Sequence, residues 1–107
     1  MSKGRVNIPE WFELDELSVI NTIVSKENET YGTLIASDNF EQNKPYKPTV
    51  RLYLIRLNNN LFEIEKEIGS FSFETKIEAT EFSTNFPHYS AVDLVHNIHN
   101  KQVKMAL

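Results

Sequence analysis

The chain has 107 residues, 40% hydrophobic and 24% charged, with 15 acids against 11 bases and a formal net charge of −4. That length suits one domain over residues 1–107, burying roughly two-thirds of its unfolded surface, and the near-average composition argues against disorder. There is no cysteine, which excludes disulfides, thiolate catalysis and Cys-ligated metal, and the mild acidity argues against wholesale nucleic-acid binding.

Residues 1–7 are polar without periodicity and are expected to form a flexible tail. They lack the apolar core of a secretion signal, and no apolar run approaches bilayer-spanning length. With cysteine absent as well, the expectation is a cytoplasmic protein with no membrane partner. Asn28-Glu29-Thr30 matches a glycosylation acceptor, but in that context it reads as a turn.

The segment Ile8–Leu17 predicts one short helix. Pro9 suits a first-turn position and the acids suit a helix N-terminus. Trp11, Leu14 and Leu17 share one face, with Phe12, Asp15 and Glu16 off it. Ser18–Ser25 is rich in β-branched residues and strand-like. After a polar turn over Lys26–Thr30, Tyr31–Ser37 returns to complete a hairpin. Asp38–Pro48 has the Asn, Asp and Pro content of a loop, at a length where loops are either functional or mobile.

Val50–Leu57 is apolar on both alternations and predicts a central strand. Asn58-Asn59-Asn60 reads as a turn. In the next strand Phe62, Ile64 and Ile68 take one face, and Leu61, Glu63, Glu65 and Glu67 take a solvated one. A short final strand is expected over Ser70–Phe73, after Gly69. The period then becomes helical. Thr75 and Glu78 form a capping box, and Ala79, Phe82 and Phe86 form the stripe behind it. Past Pro87, Ser90 and Asp93 form a second box, with Tyr89 stapled on Leu94. Ala91, Leu94, Val95 and Ile98 make the stripe of a last helix, and Lys101 and Lys104 suit its C-terminus.

These elements predict an α+β fold. An antiparallel meander of four to five strands carries two C-terminal helices packed on one face, and the short N-terminal helical segment closes an edge or end of the sheet. The expected core is Phe62, Ile64, Ile68, Phe71, Phe73, Phe82, Phe86, Leu94, Val95 and Ile98.

Catalytic chemistry finds little footing. His96 and His99 lie three apart on the last predicted helix, a spacing that two exposed polar-face histidines satisfy as well as metal ligands do. There is no Gly-x-Ser-x-Gly elbow, and three glycines are too few for the usual phosphate-cradling loop. Glu63, Glu65 and Glu67 face solvent, where nothing raises a carboxyl pKa towards neutrality. No catalytic, cofactor-binding or metal-binding residue is therefore assigned, and no enzyme is expected.

Two binding surfaces remain. Trp11, Glu13, Asp15 and Glu16 form an acidic-aromatic ridge suited to a protein partner, because Trp is enriched at interface hot spots and acids favour a basic partner. The bland alternative has Trp11 and Leu14 closing the core. Lys44, Tyr46, Lys47 and Arg51 form a basic-aromatic stretch that would serve single-stranded nucleic acid, although Arg51 and Tyr53 share a strand face that Arg56 does not. The preferred expectation is a small non-enzymatic protein-interaction module that binds or inhibits a host protein. The Asn-, Lys-, Ile- and Glu-rich composition fits an AT-rich phage or mobile-element coding sequence in a low-GC bacterium. An unpaired edge such as Val19–Val24 or Phe71–Phe73 would also allow a homodimer.

Overall fold

The structure is a computed structural model that describes residues 5–25, 28–88 and 102–105. In chain order the elements are β1 (Arg5–Asn7), α1 (Glu10–Leu14), β2 (Ser18–Val24), β3 (Tyr31–Asp38), β4 (Thr49–Asn58), β5 (Leu61–Ser72), α2 (Lys76–Asn85), a 3-10 turn (Phe86–His88) and β6 (Gln102–Met105). The fold is α+β, and β2 to β5 are consecutive antiparallel neighbours, as the meander reading requires. The sheet is nevertheless mixed. Its order is β1-β5-β4-β3-β2, with β1 parallel to β5 and β6 antiparallel to β5.

Three expectations are corrected at the chain ends. Arg5–Asn7, assigned to a flexible tail, pairs with Leu61–Glu63 of β5. Gln102–Met105, expected at a helix C-terminus, pairs with Gly69–Ser72. That same pairing covers the C-terminal half of β5, so Phe71 is not on an open edge. The last predicted helix, with Tyr89, Ser90, Asp93, Leu94, Val95, His96, Ile98 and His99, lies outside the described residues.

The β4–β5 hairpin turns on Asn59 and Asn60, both with positive φ (51° and 71°), the left-handed pair that a two-residue hairpin loop needs. β5 is one strand of 12 residues, not two. Its register against β4 skips Ile68 and Glu65, and each such bulge bends and twists the strand locally. The bulges also overturn the simple alternation read from the sequence. Ile64 packs in one core cluster with Phe62, whereas Ile68 packs in the other with Phe71 and Phe73.

Those two clusters lie on opposite faces of the sheet, because alternate residues of β4 feed them. Tyr53 and Ile55 join Phe12, Leu17, Leu34, Ala36 and Phe62. Val50 and Leu52 join Ile35, Phe71, Phe73, Ala79 and Phe82. So α1 covers one face and α2 the other. α2 itself follows its sequence signals: Thr75 Oγ1 accepts from the Glu78 amide at 3.1 Å, and Ala79, Phe82 and Phe86 all reach the second cluster.

β2 forms an edge of the sheet, as anticipated. That edge is blunted by a register irregularity between Val19 and Asn21, and by the Asn21 side chain, which accepts from the Thr22 amide at 2.8 Å. Both are devices that discourage strand addition. Among the described residues, no helix is long and apolar enough to cross a membrane.

Candidate functional site

α1 is only five residues long, and its ending sets the geometry of the site. Glu16 adopts a left-handed φ of 58°. Its amide donates to Glu13 O, and the Leu17 amide donates to Phe12 O. This pair of bonds is a Schellman cap, whose hydrophobic contact joins the residues at its two ends. Here those residues are Phe12 and Leu17, both buried in the first cluster. The inward face of α1 is therefore Phe12 with Leu17, which corrects the expected Trp11–Leu14–Leu17 stripe. Trp11 and Leu14 are left 42% and 72% exposed. The Trp11 ring rests against Phe12 and Tyr53, with centroids 5.9 and 5.8 Å away.

Next to α1, the segment after β3 is tied down by two buried polar residues. Asn39, with φ 63°, accepts from the Lys44 amide at 2.8 Å and donates to the carbonyls of Lys44 and Tyr46. Asp38 is 2% exposed. Its carboxylate accepts from Lys44 Nζ at 2.8 Å, Tyr46 Oη at 2.9 Å and Arg51 Nε at 2.7 Å. Lys44 Nζ also donates to the Asp15 carbonyl, fastening the loop to the end of α1. The loop is thus organised by its own side chains, a role the sequence reading did not assign to Asp38 or Asn39.

Burial acts to raise the Asp38 pKa, but the hydrogen bonds from Lys44, Arg51 and Tyr46 together outweigh it and hold the carboxyl below its ordinary value. Burial acts to lower the pKa of Lys44 and of Arg51, and bonding to Asp38 instead raises both. All three groups stay charged at neutral pH. Tyr53 is pushed up to about 12, first by burial and then by the negative charge of Glu67.

These elements enclose a cleft of about 740 Å³ on the α1 face of the sheet. Trp11, Leu14, Asp15, Glu16 and Leu17 form one wall, Asp38, Lys44 and Tyr46 a second, and Arg51, Tyr53 and the bulged Ile64–Glu67 stretch of β5 the rest. The structure therefore brings together most of the two separate surfaces read from the sequence. Trp11, Asp15 and Glu16 meet Lys44, Tyr46 and Arg51 in one place. Glu13 does not line the cleft, and Lys47 is paired instead with Glu74.

The charges in the cleft are unevenly committed. Lys44 and Arg51 are paired with Asp38, and Arg51 Nη1 also meets Glu67 at 3.0 Å. Glu65 pairs with Arg56 at 3.4 Å. Glu65 and Glu67 are thus each paired with a different arginine of β4. The lining holds five acids (Asp15, Glu16, Asp38, Glu65 and Glu67) against Lys44, Arg51 and Lys66, an acidic surplus. The carboxylates of Asp15 and Glu16 make no ion pair or hydrogen bond among the described residues. Among the described residues there is also no group of three or more His, Asp or Glu placed to hold a metal ion; His96 and His99 lie outside them.

Comparison with protein-family models, with curated proteins and with solved structures finds no match to this chain.

Proposed function

We propose that the chain is a non-enzymatic protein-interaction module whose contact surface is the outer side of α1 and the cleft beside it. The observation that carries this reading is the exposure of Trp11 and Leu14 next to two carboxylates, Asp15 and Glu16, that are unpaired among the described residues. The Schellman cap turns Phe12 inward to serve the core, so Leu14 and the outer side of the Trp11 ring, whose other side packs on Phe12 and Tyr53, are left facing out. An exposed aromatic-aliphatic pair with a charged rim is the composition of an interface core and its surround. The host-protein inhibitor of a phage or mobile element is one form such a module takes, and the mildly acidic charge suits it.

The single-stranded nucleic-acid reading has weaker support. Of its four residues, Lys44 and Arg51 are neutralised by Asp38 and Lys47 by Glu74. Nucleic-acid affinity depends on cations free to displace counterions from phosphate. Breaking the pairs of Lys44 and Arg51 with the buried Asp38 to supply them is costly, which leaves the exposed Lys47–Glu74 pair as the readily available source.

A photo-crosslinking residue at Leu14, compared with one at the exposed Thr80 of α2, tests the proposal in the cells that make the protein. The expected result is a discrete crosslinked protein from position 14 alone, lost when Trp11 is changed to Ser. Equal or absent crosslinking at both positions would overturn it.

A further inference from the structure

The cleft carries a second, independent sign of a ligand. Tyr53 is 3% exposed and lines the cleft, yet its hydroxyl makes no hydrogen bond among the described residues. The ring is enclosed while the hydroxyl oxygen keeps its access to the cleft, where it is open to a ligand. The Trp11 indole N–H, on the adjacent wall, is likewise without a hydrogen-bond partner among the described residues. The Tyr53 hydroxyl and two carboxylates, Asp15 and Glu16, thus stand around one space as acceptors without a hydrogen-bond partner among the described residues.

We propose that the cleft receives an arginine side chain carried by a segment of a partner protein, with its guanidinium between Tyr53, Trp11 and the carboxylates of Asp15 and Glu16. This rests on the interaction-module reading and names the chemistry of the partner. The lining has an acidic surplus even with Lys66 counted, and Lys44 and Arg51 are already turned towards Asp38 and Glu67, so an incoming cation meets net negative charge. The Tyr53 hydroxyl and the two carboxylates supply acceptors on several sides. A guanidinium, with five donors in a plane, can use them together where an ammonium cannot. The exposed Trp11 ring adds a surface on which a flat cation stacks. A volume of about 740 Å³ is within the ordinary range for a ligand site of roughly 300–1,000 Å³ and leaves room for the residues flanking the arginine. A phosphate or carboxylate ligand would face the same surplus as repulsion.

Trp11 is the only tryptophan, so its emission reports on the cleft directly. The full chain would be titrated with an arginine-glycine repeat peptide, its lysine and glutamate counterparts, and an oligothymidylate. Saturable change with the arginine peptide is expected, weaker change with lysine, and none with glutamate or the oligonucleotide. Tyr53→Phe removes only a hydroxyl that makes no hydrogen bond among the described residues, and it should weaken arginine binding by about tenfold, the worth of one charge-assisted hydrogen bond. Asp15→Asn with Glu16→Gln should weaken it at least as much, with circular dichroism confirming that both variants are folded. Equal affinity for lysine and arginine, preference for the oligonucleotide, or a Tyr53→Phe variant that binds like the parent would overturn the proposal. If arginine binding fails while crosslinking from Leu14 still captures a partner, the interaction module stands and its arginine ligand does not. If both fail, both readings fall.

Discussion

Asp38→Asn is the most informative single change in this protein, because one carboxylate holds β3, the following loop, β4 and, through Lys44, the end of α1. Asparagine keeps the shape and one acceptor oxygen but replaces the other with an NH2 donor. That donor would face Arg51 Nε–H or Lys44 Nζ, both within 2.8 Å of the present oxygens. Removing one partner of a buried ion pair costs about 3–5 kcal/mol. Lys44 and Arg51 are 21% and 27% exposed and recover some hydration, so the low end, about 3 kcal/mol, is expected at neutral pH. For a domain of this size that corresponds to a fall in Tm of roughly 12–24 °C. The pH dependence adds a second check. The folded pKa of Asp38 lies below its ordinary value, so the folded state binds fewer protons and the stabilisation is complete above the unfolded pKa of about 3.9. It is lost as pH falls from there through the folded value, where a protonated Asp38 becomes chemically close to the Asn variant. Urea unfolding of both proteins from pH 7 down to pH 3 should show a gap that is constant near neutrality and begins to close below about pH 4. A gap under about 0.5 kcal/mol at pH 7, the size of an ordinary surface substitution, would refute the assignment of Asp38 as the tie of this region. So would a gap that does not change with pH.

Other substitutions probe the scaffold. A Cβ at Gly32 would lie 2.5 Å from the Ile23 backbone oxygen, which cannot swing aside, so Gly32→Ala should cost about 1–3 kcal/mol in a thermal melt. Phe82 sits 4.6 Å from Phe71 and 5.2 Å from Phe73 between ring centroids, and Phe82→Ala should lose about 3–5 kcal/mol in urea unfolding. Glu16 occupies the left-handed position that a Schellman cap usually gives to glycine, so Glu16→Gly should raise stability by about 0.5–1 kcal/mol, the left-handed penalty less the larger unfolded entropy of glycine. A lowered denaturation midpoint in that variant would show that the cap is not under strain.

What was legible in the sequence was whatever depends on local pattern. Val50–Leu57, apolar on both alternations, is the middle strand with a core cluster on each side. Thr75 with Glu78 caps α2 as written, and the Asn58–Asn60 run makes its turn. The misses were non-local. Arg5–Asn7 and Gln102–Met105 are too short and polar to declare themselves as strands, and they exist because β5 offers them an edge. The two bulges of β5 are equally silent, since a skipped residue leaves no mark on composition and only the partner strand reveals it.

The site shows the same division in sharper form. Helical periodicity put Trp11, Leu14 and Leu17 on one face and Phe12 off it, but periodicity holds only while the helix continues, and this one stops after Leu14. The chain then reverses at Glu16, and the cap pairs Phe12 with Leu17 across the turn. A left-handed glutamate carries no sequence signature, because the residue expected there is glycine. One unforeseen conformation thus brought Phe12 inward beside Leu17 and parted Leu17 from Trp11 and Leu14. The charges were misjudged for a related reason. Lys44 and Arg51 read as free cations because Asp38, which neutralises both, is 6 and 13 residues away and looked like the first polar residue of a loop. With those cations committed to Asp38, and the carboxylates of Asp15 and Glu16 without partners among the described residues, the acidic surplus of the lining favours a cation over a phosphate in the cleft.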